Sequence, residues 1–202
     1  MPAQALGKPA RETVKGWRRR GRESKLSAVL YVLSVPTWPV DVGERIYAFR
    51  RAYQPARAAI VPAHVTLVFG ARAISQDELT AHVAEVARRT APFRVSFSAA
   101  EIHEDSISGG YKLFLLTNDG THTLSTLHQA LYVGGLRSEL RTDICYRPHM
   151  TIATADSAEG IQMALANVPS LGLPLSGIVK NLRVCATRQH GIETIATLAL
   201  AA

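Results

Sequence analysis

Two stretches of this 202-residue chain limit how it can fold more than anything in its composition: residues 61–69, VPAHVTLVF, and residues 146–154, YRPHMTIAT. Each holds an expected strand, over residues 64–69 in the first and 147–154 in the second, rich in β-branched and apolar residues. Side chains alternate across a strand, so His64 and Thr66 share one face while Val65 and Leu67 take the other. His149 and Thr151 oppose Met150 and Ile152 in the same way. The apolar faces call for burial, which leaves each strand presenting one imidazole and one hydroxyl side by side. With seven His and fifteen Thr in the chain, chance supplies roughly half a His-x-Thr, so the weight lies in the shared frame. Both copies have a proline one or two residues before the histidine (Pro62, Pro148), a bulky apolar residue between His and Thr, and Leu67 or Ile152 directly after the Thr. Both also precede a helix-capping signal, Ser75 to Glu78 in one case and Asp156 to Glu159 in the other.

The remaining patterns arrange themselves around these strands. Residues 27–35 form an apolar run closed by Pro36, and residues 41–53 a helix. The Ser75 cap opens a second helix with Leu79, Val83, Val86 and Ala87 on one face. Residues 93–103 and 111–117 read as strands joined across Gly109-Gly110, and residues 121–132 as a helix stopped by Gly134-Gly135. A further helix runs to about Val168, where Pro169 and Gly172 break it. Strands over 173–186 and 192–200 flank a turn at His190-Gly191. Each half thus reads as motif strand, capped helix and strand pair, an internal duplication. The expected class is α+β: two pseudo-symmetric lobes with antiparallel-rich sheets and flanking helices, and a cleft between them. Residues 27–202 form one bilobal domain in this reading, and 47% hydrophobic residues suffice for a real core.

The formal charge of +7 is unevenly spread. Residues 1–25 hold eight Lys or Arg against Glu12 and Glu23, leaving +6 there and +1 on everything after. Residues 1–26 therefore read as a basic tail, either a solvated, flexible arm or one that adds salt-dependent attraction to RNA phosphates. No export signal is expected, because WPV stands where a small-residue cleavage site belongs, and no apolar run is long enough for a membrane span. Cys145 and Cys185 lack metal or CxxC spacing; both fall in expected strands, so buried free thiols in a reducing, cytoplasmic setting are the reading. His82, His103, His122, His128 and His190 form no metal-ligand pattern, and no Walker, G-x-G-x-x-G or G-x-S-x-G loop is present. Neither a metal nor a cofactor is expected, and the chain is read as a monomer.

The paired motifs HVTL (64–67) and HMTI (149–152) resemble the signature of the 2H phosphoesterases, which include bacterial 2'-5' RNA ligase-like proteins and cyclic nucleotide phosphodiesterases. The resemblance runs from about residue 27 to residue 200. It implies two lobes with both motifs lining one cleft, and metal-independent action on RNA or nucleotide 2',3'-cyclic phosphates or 2'-5' linkages, with ligation as the reverse of the same chemistry.

The residues support that chemistry on their own terms. Opening a cyclic phosphodiester needs a base to take a proton from water and an acid to protonate the departing sugar oxygen, and imidazole serves either role near neutral pH. His64 and His149 are the catalytic candidates, and the sequence does not say which is the acid. Thr66 and Thr151 are expected to donate to the non-bridging phosphate oxygens. Arg147, two residues before His149, is either a phosphate partner on the cleft face or a surface arginine at the strand entrance. Phe69 and Tyr146 read as core rather than as platforms for a base. The competing function is a non-catalytic RNA-binding protein that clasps a phosphate end in the cleft and draws affinity from the tail.

Overall fold

The computed structural model describes residues 28–105, 109–189 and 191–201, so the expected tail lies outside the described residues. In chain order the elements are β1 (Leu30–Ser34), α1 (Val40–Tyr53), α2 (Pro55–Ile60), β2 (Val65–Ala71), α3 (Gln76–Arg88), β3 (Phe93–Glu104), β4 (Tyr111–Thr117), α4 (Thr121–Leu131), β5 (His149–Ala155), α5 (Ala158–Ala166), β6 (Leu175–Val179), β7 (Asn181–Arg188) and β8 (Gly191–Ala199). Short 3-10 turns follow α4 (Gly134–Glu139) and α5 (Val168–Leu171). Among the described residues the strands form one antiparallel sheet in the order β6-β3-β4-β5-β2-β1-β7-β8.

The α+β class, the antiparallel pairing and the flanking helices are as the sequence reading has them. The two lobes are halves of this one sheet, and β2 and β5 join them through a single residue pair, Val65 opposite Met150. The repeat begins one strand earlier than the motif strands suggest. β1-α1-β2-α3-β3 corresponds to β4-α4-β5-α5-β7, and the halves exchange parts: β3 pairs with β4, whereas β7 pairs with β1. α1 packs on β5 and α4 on β2, so each motif strand is backed by the helix of the other unit. One buried cluster runs through both halves, with Val32, Val65 and Val184 from one and Leu113, Met150 and Phe97 from the other.

Local chemistry explains most of the boundaries. The Ser75 hydroxyl accepts from the Glu78 N–H, and the Glu78 carboxylate accepts from the Ser75 N–H at 3.0 Å, a complete capping box. The buried face of α3 is Leu79, Val83, Val86 and Ala87. At α5 the cap is Ser157, whose hydroxyl accepts from Gly160 N–H at 3.1 Å; the helix ends at Ala166 and the rest of the expected span is the 3-10 turn. Gly110, at φ 76°, lets the chain return into β4, where a Cβ would stand 2.6 Å from the Ala155 carbonyl.

Several expectations are corrected. The run 173–186 divides at Lys180 into β6, which pairs with β3, and β7, which pairs with β1. These strands lie near opposite ends of the sheet order, so a one-residue link between them requires the sheet to curl back on itself. A bridge from Thr37 to Ile178 helps close that curl. The helix α2 occupies a stretch too short to show helical periodicity. β5 begins at His149, because Pro148 has no N–H for the ladder. Cys145 therefore sits exposed in an irregular segment, and only Cys185 is a buried thiol. Among the described residues no helix is long and apolar enough to cross a membrane.

Candidate active site

The site is built on the pair Val65 and Met150, which point into the core at 1% and 0% exposure. In antiparallel register that pair sets His64 opposite Thr151 and Thr66 opposite His149, all four on the face away from the core. The result is a four-cornered array with the imidazoles on one diagonal and the hydroxyls on the other. Beyond this pair β2 and β5 part company, and side chains from the opposite units satisfy the backbone. The Tyr146 hydroxyl donates to the Thr66 carbonyl at 2.9 Å, and the Gln54 amide donates to the Thr151 carbonyl at 3.0 Å.

Each histidine is anchored alike. Nδ1 of His64 lies 2.7 Å from the Pro62 carbonyl and Nδ1 of His149 lies 2.8 Å from the Arg147 carbonyl. A carbonyl only accepts, so both Nδ1 atoms carry hydrogen and Nε2 is left as the reactive nitrogen in each ring. Proline before the histidine thus matters in both frames: it steers the chain into the strand while a carbonyl two residues upstream fixes the tautomer.

The electrostatic settings differ. Burial, with the cations Arg50 and Arg57 adding to it, pushes His64 down to about 4, so it is neutral at pH 7. Burial also lowers His149, with His103, Lys112 and Arg147 contributing. The His149 ring is stacked on Phe114 with centroids 3.7 Å apart and planes 22° apart, and His103 stacks against Phe114 at 4.4 Å. Glu101 gathers this side: it accepts from both terminal nitrogens of Arg147 at 2.8 and 3.3 Å and lies 3.3 Å from His103 Nε2.

The structure brings His64, Thr66, His149 and Thr151 together and places Arg147 beside them, outside the strand and held by Glu101. Sequence reasoning did not pick out Phe114, Glu101, Gln54 or Arg50. Only alternation on β4, which sets Phe114 across from Thr151, would have pointed to the first. Tyr146 is partly buried, stacked on His128 at 3.7 Å. Phe69 is not core: it is 65% exposed and packs edge-on to Tyr31 at 5.6 Å. A bulge explains this, since Leu33 pairs with Thr66 but Val32 with Val68, so Leu67 and Val68 both turn inward and Phe69 turns out. Among the described residues no group of three or more His, Cys, Asp or Glu side chains is placed to hold a metal ion.

Comparison with known proteins agrees with the fold. The sequence model of the 2'-5' RNA ligase superfamily matches residues 38–191. The fold is similar to that of E. coli LigT complexed with 3'-AMP, at 20% identity and a TM-score of 0.56, over 87% of this chain and 99% of that one. E. coli LigT complexed with phosphate gives 18% and 0.54 over 87% and 98% of the two chains. Usb1 of Kluyveromyces marxianus with uridine monophosphate gives 12% and 0.54 over 86% and 98%. No curated protein matches in sequence.

Proposed function

The chain belongs to the 2'-5' RNA ligase superfamily, and on that premise we propose that it is a metal-independent phosphoesterase acting on RNA or nucleotide 2',3'-cyclic phosphates or 2'-5' linkages. The observation that carries this reading is the array itself: two imidazoles on a diagonal, each with Nδ1–H tied to a carbonyl and Nε2 free. A phosphate over the centre of the array meets a hydroxyl on either side and a titratable nitrogen on either side.

In the hydrolytic direction His64 is the base and His149 the acid. Neutral His64 takes a proton from water at Nε2 as the water oxygen bonds to phosphorus. The bond from phosphorus to one sugar oxygen breaks, and His149, as imidazolium, delivers its Nε2 proton to that oxygen. The roles follow from the surroundings. Burial, with two nearby guanidinium groups adding to it, keeps His64 unprotonated, while the face of Phe114 favours a cation on His149, and the arriving phosphate anion favours it further. Thr66 and Thr151 donate to the non-bridging oxygens where charge builds up. With a 5'-hydroxyl in place of water, the same proton movements form the new bond to phosphorus, break the bond to the 3'-oxygen and leave a 2'-5' linkage, the ligase direction; their reverse cleaves that linkage back to the cyclic phosphate.

The test is incubation of the purified protein with nucleoside 2',3'-cyclic phosphates and 2'-5'-linked dinucleotides in EDTA. Formation of a nucleoside monophosphate from the first class, or of a nucleoside together with a nucleoside phosphate from the second, is expected. Absence of turnover on every substrate of both classes contradicts the proposal.

A further inference from the structure

The segment after β1 together with α1 and α2 lines a half-open pocket of about 390 Å³ that borders residues 61–63, directly before His64; its wall includes Trp38, Tyr47, Arg50, Ala59, Pro62 and Ala63. The Pro62 carbonyl in that wall is the one that holds His64. Within it Arg50 is only 3% exposed. One of its terminal nitrogens donates to the Val61 carbonyl at 2.9 Å, and its Nε has no partner. Among the described residues no carboxylate forms an ion pair with Arg50, with Arg57 on α2, or with Arg51, which lies over the Tyr47 ring at 5.9 Å.

A buried cation without a counter-charge is costly, and the cost is recovered when an anion arrives to complete it. The other side of the array shows the contrast. There Arg147 is clasped by Glu101, and Lys112 pairs with Asp105 at 2.7 Å. Uncompensated positive charge is therefore concentrated on the His64 side of the cleft, beside a cavity with room for more than the reacting phosphate.

We infer that the pocket lined by Arg50, with exposed Arg57 one residue before the lining Ala58, is a second phosphate subsite, holding the flanking phosphate of a nucleotide strand whose reacting phosphate lies on the His64–His149 array. The inference rests on the phosphoesterase reading and narrows it. The preferred substrate class is one with at least two phosphates, an RNA end or a nucleoside bisphosphate, rather than a lone cyclic mononucleotide. The faces of Trp38 and Tyr47 give the adjoining sugar or base a surface to lie on.

The experiment is equilibrium binding of adenosine 3',5'-bisphosphate and adenosine 3'-monophosphate to the full chain by calorimetry, with no turnover required. The bisphosphate is expected to bind about tenfold more tightly, the worth of one charge-assisted contact. In R57Q and in A59E, both at exposed positions, that ratio falls to near one. R50M behaves the same way, with its melting curve recorded because the position is buried. Any contribution of the basic tail is common to every variant, so it cancels when the ratio of a variant is divided by that of the unsubstituted chain. A ratio near one in the unsubstituted chain overturns the inference, and so does a preference that survives R57Q and A59E. A chain that keeps the preference yet opens no cyclic phosphate refutes the proposed activity and leaves the subsite standing.

Discussion

Replacing Phe114 by leucine separates the two histidines by their surroundings. The Phe114 ring lies face to face with His149, centroids 3.7 Å apart, and among the described residues His64 has no stacked aromatic neighbour. A ring face is worth about 0.5–1 kcal/mol to a cation at an exposed site and about 2 kcal/mol when water is excluded. For half-buried His149 a loss of about 1 kcal/mol follows, and since one pKa unit corresponds to about 1.4 kcal/mol, the imidazolium weakens by roughly 0.7 unit. Leucine keeps an apolar cover on the ring, so the desolvation that already lowers His149 changes little. The assay is the pH dependence of kcat/KM on a nucleoside 2',3'-cyclic phosphate, paired with NMR titration of the histidine ring protons. The alkaline limb is expected to move down by about 0.5–1 unit, with the acid limb unmoved. Movement of the acid limb, or of neither limb, refutes the assignment of His149 as the acid.

Three further outcomes follow. Because His64 titrates at about 4 in the folded chain against an ordinary 6.5, the unfolded chain binds more protons between those values; stability rises with pH across that window and is lost as pH falls through it. Urea melts at pH 4.5 and 7 should show this slope, and H64Q should flatten it. Tyr146→Phe removes the donor to the Thr66 carbonyl and is expected to cost about 1–2 kcal/mol in denaturant melts; an unchanged midpoint argues against that bond. Ser75→Ala breaks the capping box of α3 and should lower stability by about 1 kcal/mol while kcat on a cyclic phosphate stays as it was.

What could be read from sequence was what short-range chemistry determines. His64, Thr66, His149 and Thr151 were legible because period-two alternation puts them on one face, and α3 was legible because its cap and its apolar stripe agree. The exchange of β3 and β7 between the halves was not, since nothing local in a strand says which edge it will join. Lys180 shows the same limit: one residue separates strands that pair in distant parts of the sheet, and the run 173–186 looks continuous until the curl is seen. Phe69 was misplaced because a bulge adds one residue to the count. Arg50 was missed because a helical arginine without a carboxylate nearby looks like a solvated one until its burial is known. The carbonyls that fix both histidine tautomers lie two residues upstream, in plain view, yet only the backbone path into each strand shows that they reach.

The central claim is that His64 and His149 act on one phosphate as a single acid/base unit. The most direct measurement is the rate of nucleoside 2',3'-cyclic phosphate hydrolysis in EDTA by the unsubstituted chain, H64A, H149A and the double variant. Each single substitution is expected to lower kcat by about 10²–10⁴, with the double variant little worse than either, because removing one member already disables the pair. A single variant that keeps the full rate, or losses that multiply in the double variant, contradicts the account.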